Sequence, residues 1–244
     1  MKRRRRYRGI VGIEAAIVLI AFVIVAAALA FVTLNMGFFT TQKSQQVIVS
    51  GLGESSTALE VDGSVLAYSQ NGGEVDYIAI PIKVSPGRSA VDLHPNRSSI
   101  VYWSGGGSFA DIYTAFGYVY YDGNRSAYNL TIIWANGTKM FNNDQQIGGS
   151  INITAIWCNI TSKTKDLSIV ATIIWIDSNQ DHDKNDTNLE IGEKAIVLVI
   201  FNDDAVKPEE YDVVKVEIKP PEGASLTIER TMPPGIASGV MDLG

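Results

Sequence analysis

The chain has 244 residues, 46% of them hydrophobic, and a formal net charge of -6. That length allows one ordinary globular domain plus an appendage, with ample apolar material for a core. Six of its 20 basic residues (Lys2, Arg3, Arg4, Arg5, Arg6 and Arg8) fall in the first nine positions, which leaves the remainder strongly acidic and excludes nucleic acid as a partner.

Behind that basic cluster, Ile10–Met36 contains a single ionisable residue, Glu14. From Ala15 to Leu34 the run is uncharged and about 20 residues long, enough to cross a hydrocarbon layer of about 30 Å as a helix. It is apolar on all sides rather than along one stripe, so lipid or other protein must surround it. The basic cluster predicts a cytoplasmic N-terminus and an exported bulk. An ordinary secretory signal has a shorter apolar region with a small-residue cleavage site on its far side. Ala26-Ala27-Ala28 mimics such a site, but the apolar run continues past it. Cleavage before the apolar segment, between Gly9 and Ile10, fits better, because the leader has no other small residue at the membrane edge. A helix from Ile10 to about Gln46 would be roughly 55 Å long. Its polar continuation, Thr40 to Gln46, would then stand above a bilayer, and Ala26, Ala27, Ala28 and Ala30 would permit close helix approach. Glu14 is the costly residue in this setting. Its partner is the amine that cleavage creates at Ile10, its own or a neighbour's; alternatively it is an interfacial carboxylate favoured by the helix dipole.

After Gln46 the character changes. Gly51-Leu52-Gly53 interrupts the helical pattern and marks a hinge into a head. From there short runs rich in β-branched and aromatic residues recur between Gly, Asn, Asp and Pro clusters. Strands are predicted at Tyr77–Val84, Ile100–Trp103, Ile112–Tyr121, Leu130–Trp134, Ile151–Trp157, Leu167–Ile176, Ala195–Phe201, Tyr211–Ile218 and Ser225–Arg230. That is about nine strands and no helix, the pattern of an antiparallel β-sandwich. Trp103, Trp134, Trp157 and Trp175 read as core or subunit-interface packing. Half of the 14 asparagines (Asn96, Asn124, Asn129, Asn136, Asn152, Asn159 and Asn185) have Ser or Thr two places on. Chance would give roughly one in seven, so the excess points to an exported, N-glycosylated surface. Asn152 is the weakest acceptor, since it sits inside a predicted strand.

Between two strands lies Asp177-Ser-Asn179-Gln-Asp181-His-Asp183, continuing to Glu190. Oxygen ligands spaced two apart on a tight loop suit Ca2+, with Asp177, Asn179, Asp181 and Asp183 as the candidates. The loop departs from an EF-hand, which needs Gly where this chain has His182 and Glu where it has Asn188. A solvated hairpin loop explains the same residues. Elsewhere the sequence offers no catalytic constellation. His94 and His182 are far apart, Gly-x-Ser-x-Gly is absent, and Gly105-Gly106-Gly107 lacks the Lys of a phosphate loop. Cys158, the single cysteine, allows no intrachain disulfide and is expected to pack as a small buried residue in a strand.

A basic leader ending in Gly, then an apolar run with Glu at its fifth position, is the pattern of class III, type IV pilin-like precursors. The stretch RRRRYRGIVGIEAAIVLIAFVIVAAALAFVTLNMGFFTTQK resembles the N-terminus of archaellins, closely over roughly the first 50 residues and in general character beyond. The resemblance implies that a prepilin-type peptidase cuts after Gly9, that the helices pack as a filament core, and that the head is an immunoglobulin-like sandwich. It implies an α+β chain with a leader (1–9), a polymerisation helix (10–50) and an exported head (51–244). The partners implied are further copies of the chain, related archaellins, the membrane before assembly, and the motor and assembly complex of the archaellum. The loop followed by Leu189-Glu-Ile-Gly192-Glu193 is also similar to that of archaellins, some of which hold a metal ion. An adhesive archaeal pilin shares the leader and the helix, and a membrane-anchored monomeric glycoprotein would retain both.

Overall fold

The computed structural model describes residues 10–55, 58–87, 90–122, 127–140, 145–148, 153–176 and 186–244. One compact unit ends at Gly53 and a second begins at Glu54. The first holds all but the last two residues of the helix α1 (Ile10–Ser55), 46 residues and about 69 Å long. It runs past Gln46 and through Gly51 and Gly53. A helical glycine costs about 1 kcal/mol and, unlike proline, breaks no backbone bond, so two of them do not end a helix this long.

The second unit is a β-rich head. Its first strands are β1 (Leu59–Val61), β2 (Leu66–Ser69), β3 (Tyr77–Val84), β4 (Ala90–Asp92), β5 (Ser99–Ser104), β6 (Gly107–Phe109), β7 (Tyr113–Asp122), β8 (Ala127–Trp134) and β9 (Gln145–Gly148). A helix, α2 (Ile153–Thr164), precedes β10 (Ile169–Ile176), β11 (Asn188–Glu190), β12 (Lys194–Phe201), β13 (Val213–Lys219), β14 (Leu226–Thr231) and β15 (Gly239–Asp242). The large sheet runs β15-β2-β3-β12-β10-β7-β8-β9, with β1 beside β2 on β3. A second sheet runs β14-β13-β5-β6, and β4 pairs with β11. The chain is therefore α+β. The ladders are antiparallel except for β7 with β10, which run parallel. A parallel pair requires a long crossover, and β8, β9 and α2 supply it.

Alternation explains how the central strands are buried on both faces. Ile78, Ile80 and Ile82 of β3, with Val197 and Val199 of β12, meet Ile100, Tyr102, Val214, Val216 and Ile218 of the smaller sheet in one core. This is the sandwich. Tyr77 and Ala79 of β3, with Leu198 and Ile200 of β12, turn the other way and pack under Ile156, Trp157 and Ile160 of α2. Tyr68 and Tyr77 stack with centroids 4.9 Å apart beneath Trp157, and the Tyr77 hydroxyl lies 3.2 Å from Thr154 Oγ1. Asn202 Nδ2 donates to the carbonyls of Thr164 and Leu167, both at 2.8 Å, and so caps the C-terminus of α2.

α2 corrects the predicted strand over Ile151–Trp157. Ile153, Ile156, Trp157, Ile160 and Thr164 recur at helical spacing, and that period, not the β-branched content, decides the element. Cys158 falls on the outer side of α2 and is exposed, not buried. Beyond the core, Lys207 reaches Asp204 at 2.7 Å and Asp76 at 3.1 Å. Burial pulls its pKa down, but the hydrogen bonds it donates to both carboxylates outweigh this and hold it above the ordinary 10.5. The lysine side of the pairing therefore contributes fully at neutral pH and, at the alkaline end, is lost as pH rises through that elevated value.

Gly117, mid-way along β7, sets the spacing of β7 and β8: a Cβ there would lie 2.6 Å from the Thr131 carbonyl oxygen, a backbone atom that cannot move aside. Gly117→Ala is expected to destabilise the head by about 2 kcal/mol, read as a lowered melting temperature in calorimetry of the detergent-solubilised chain.

Candidate assembly helix and surface acceptor sites

α1 holds the functional surface. From Gly12 to Leu52 its residues are exposed, including Phe22 at 72%, Phe31 at 68% and Phe39 at 70%. Phe22 and Phe31 are nine residues apart and point to opposite sides of the helix. No face is polar enough to meet water over the apolar length, so the whole circumference requires cover. Its polar atoms are already provided for. Thr33 Oγ1 donates to the Leu29 or Ala30 carbonyl at 3.0 Å, Thr40 to Met36 at 2.8 Å and Thr41 to Gly37 at 2.9 Å. These hydroxyls can enter an apolar surrounding without an unmet donor. The sequence did not single them out, although a Thr four residues after a helical carbonyl is the signal. Glu14 stands one helical turn after Ile10, within α1. Gly9 lies outside the described residues.

The acceptor asparagines divide sharply. Asn136 is exposed on the turn after β8, where its Oδ1 accepts from Thr138 N at 2.9 Å and Thr138 Oγ1 at 2.6 Å. That turn holds the side chain outward and leaves its Nδ2 pointing away from these bonds. Asn96 is exposed too, with Nδ2 3.4 Å from the Ala135 carbonyl. Asn159 is half-buried on α2 and its Nδ2 donates to the Ala155 carbonyl at 2.9 Å. Asn129 departs from the exposed set: it is 4% exposed in β8, paired opposite Tyr120 on one side and Gln146 on the other. A glycan has no room there unless the β8–β9 edge opens. Asn124, Asn152 and Asn185 lie outside the described residues.

So do Asp177, Asn179, Asp181 and Asp183, the candidate Ca2+ ligands. The chain just after them is firmly held. Tyr118 Oη donates to the Asp186 carbonyl at 2.6 Å, Thr187 Oγ1 lies 3.2 Å from Asp92 Oδ1, and Leu189 is fully buried. Leu189-Glu-Ile-Gly192-Glu193 forms the turn into β12, with Gly192 at φ 92° and Glu193 Oε2 accepting from Glu190 N at 2.9 Å. Among the described residues no three His, Cys, Asp or Glu side chains are placed to hold a metal.

The family model for archaeal-type flagellin matches residues 9–230, a range that takes in the apolar helix and most of the β head. The chain belongs to the archaeal-type flagellin family. It is a structural subunit of an archaeal flagellar filament, a motility device, and the family match decides against the adhesive-pilin alternative. The flagellin chain is 41% identical over 235 residues to probable flagellin 1 of Aeropyrum pernix, covering 96% of this chain and 97% of the relative. It is 30% identical over 252 residues to probable flagellin 2 of Archaeoglobus fulgidus, covering 97% and 95%. Among solved structures it is similar to the archaeal flagellum of Methanospirillum hungatei, at 25% identity and a TM-score of 0.49, covering 94% of this chain and 98% of that one. The crystal structure of flagellin FlaB1 from Methanocaldococcus jannaschii also gives 0.49, at 19% identity, over 76% and 95%.

Because the Thr33 hydroxyl is satisfied within its own helix, Thr33→Val is expected to leave filament yield within about two-fold, whereas Thr33→Asp, an unpaired charge in the apolar span, abolishes filaments; negative-stain counts of filaments per cell read both.

Proposed function

We propose that the chain is made with a basic leader, that a prepilin-type peptidase removes this leader between Gly9 and Ile10, and that α1 then passes from lipid into a bundle of its own copies. The bundle is the filament core, and the heads form its extracellular surface. The observation that carries this reading is the apolar circumference of α1: from Ile10 to Phe39 it is about 45 Å long, about one and a half times the thickness of a hydrocarbon layer, so lipid crossed at right angles covers only part of it. Related flagellins are further partners on this reading, and the archaellum motor and assembly complex inserts and turns the product.

The leader would act as a stop. Its six positive charges resist entry into an apolar bundle, so cleavage converts a membrane anchor into a subunit free to polymerise. Mass spectrometry of shed filaments is expected to find Ile10 as the first residue. The Gly9→Val precursor is expected to remain in the membrane uncleaved, and normal filaments built from it, or filaments bearing Met1, would defeat the reading.

The head surface is proposed to carry N-linked glycans, and the geometry ranks the acceptors. Asn136 is held outward and is expected to be occupied in most copies, with Asn129 unmodified. Glycopeptide mass spectrometry of filaments gives the two occupancies directly, and the reverse order would count against the ranking.

A further inference from the structure

Between Ile10 and Gly53 the sequence has two ionisable side chains, Glu14 and Lys43, of opposite sign. Both lie on α1 and both are exposed. Lys43 follows Glu14 by 29 residues, which at 3.6 residues per turn is eight turns to within about 20°. The two charges therefore share one face, about 44 Å apart along the axis. The strip between them on that face is apolar: Val18, Ala21, Val25, Val32 and Phe39. Nothing on the strip can neutralise either charge, and among the described residues the Lys43 ammonium meets the neutral Gln46 Oε1, at 3.3 Å.

We propose that in the filament core Glu14 of one copy pairs with Lys43 of another, so that charge matching fixes the axial stagger of those two helices at about 44 Å. The inference rests on the polymerisation reading above. In a bundle built from copies of this helix, every level that holds a Glu14 also holds later sections of other helices. The side-chain cation those sections carry is Lys43, and the side-chain anion they offer it in return is Glu14. A buried carboxylate without a cation is strongly destabilising, whereas apolar contacts between similar helices discriminate weakly among axial offsets. The pair therefore selects the offset, in the way that one buried polar contact sets register in a coiled coil. The rival partner for Glu14 is the amine at Ile10 of the mature chain, which would set a much smaller offset or none.

Cryo-electron microscopy of wild-type filaments decides between them. Glu14 carboxylate oxygens within about 4 Å of a Lys43 Nζ from another copy support the proposal. A Glu14 whose nearest cation is an Ile10 amine, or a Lys43 directed at a head carboxylate or at water, overturns it. Charge reversal gives an independent readout. Glu14→Lys and Lys43→Glu are each expected to lower filament yield at least about ten-fold, and the double variant to recover most of it. Processed, membrane-inserted single variants with no recovery in the double would also overturn the pairing. Should wild-type chains form no filament at all, it is the polymerisation reading that fails, a result distinguishable from a filament with the wrong contact.

Discussion

The constraint from which the rest follows is that α1 has no side it can show to water. An amphipathic helix is stable when one face is covered; this one needs cover all round. Two surroundings provide it, lipid and other protein, and they are nearly equal in their appeal to an aliphatic side chain. The large hydrophobic gain of leaving water is thus present at both ends of assembly and cancels. What remains is close packing, internal satisfaction of polar groups, and the treatment of the few charges. The small residues Ala26, Ala27, Ala28 and Ala30 and the back-bonded Thr33, Thr40 and Thr41 serve the first two needs.

The head answers a different problem. It has a core of its own, filled from both sheets on one side of β3, β12, β10 and β7 and covered by α2 on the other. Those four central strands carry apolar residues in both directions, which explains why β10 (Ile169–Ile176) is apolar at every position but Thr172 and buried at all but its last. Its fold therefore does not depend on burying α1. On the proposed polymerisation route, a subunit built this way keeps its head formed while only the helix changes surroundings.

How much of this was legible in the residues varies with the physics involved. β3 matches its predicted range residue for residue, and β12 and β13 lie within a residue or two at most ends, because alternation over eight residues is a strong local signal. α2 was misread because Ile, Thr and Trp favour strands locally, while its helical spacing pays off only against the sheet beneath it. Cys158 followed that error to the wrong side. The parallel pairing of β7 with β10 and the burial of Asn129 between Tyr120 and Gln146 are products of topology, and no local pattern encodes them. At the helix, Glu14 was conspicuous as a lone charge, but Lys43 was hidden in a polar stretch. Its position on the face of Glu14 follows from one unbroken helix from Ile10 past Lys43, and shows only when the helical angle is counted over the 29 residues between them.

That continuity matters to how a filament of such helices obtains a definite geometry. Apolar side chains of similar size slide past one another with little preference, so a bundle held by them alone has many offsets of comparable energy. A buried charge changes the comparison, because its cost unpaired is several kcal/mol and its pairing is short-ranged. It contributes little to net stability, since desolvation offsets most of the attraction, but it separates the correct offset from the incorrect ones. A helix of nearly uniform grease with one anion near its start and one cation near its polar end is therefore suited to specify where each neighbour sits, and a kinked or interrupted helix would lose the common face on which that specification depends.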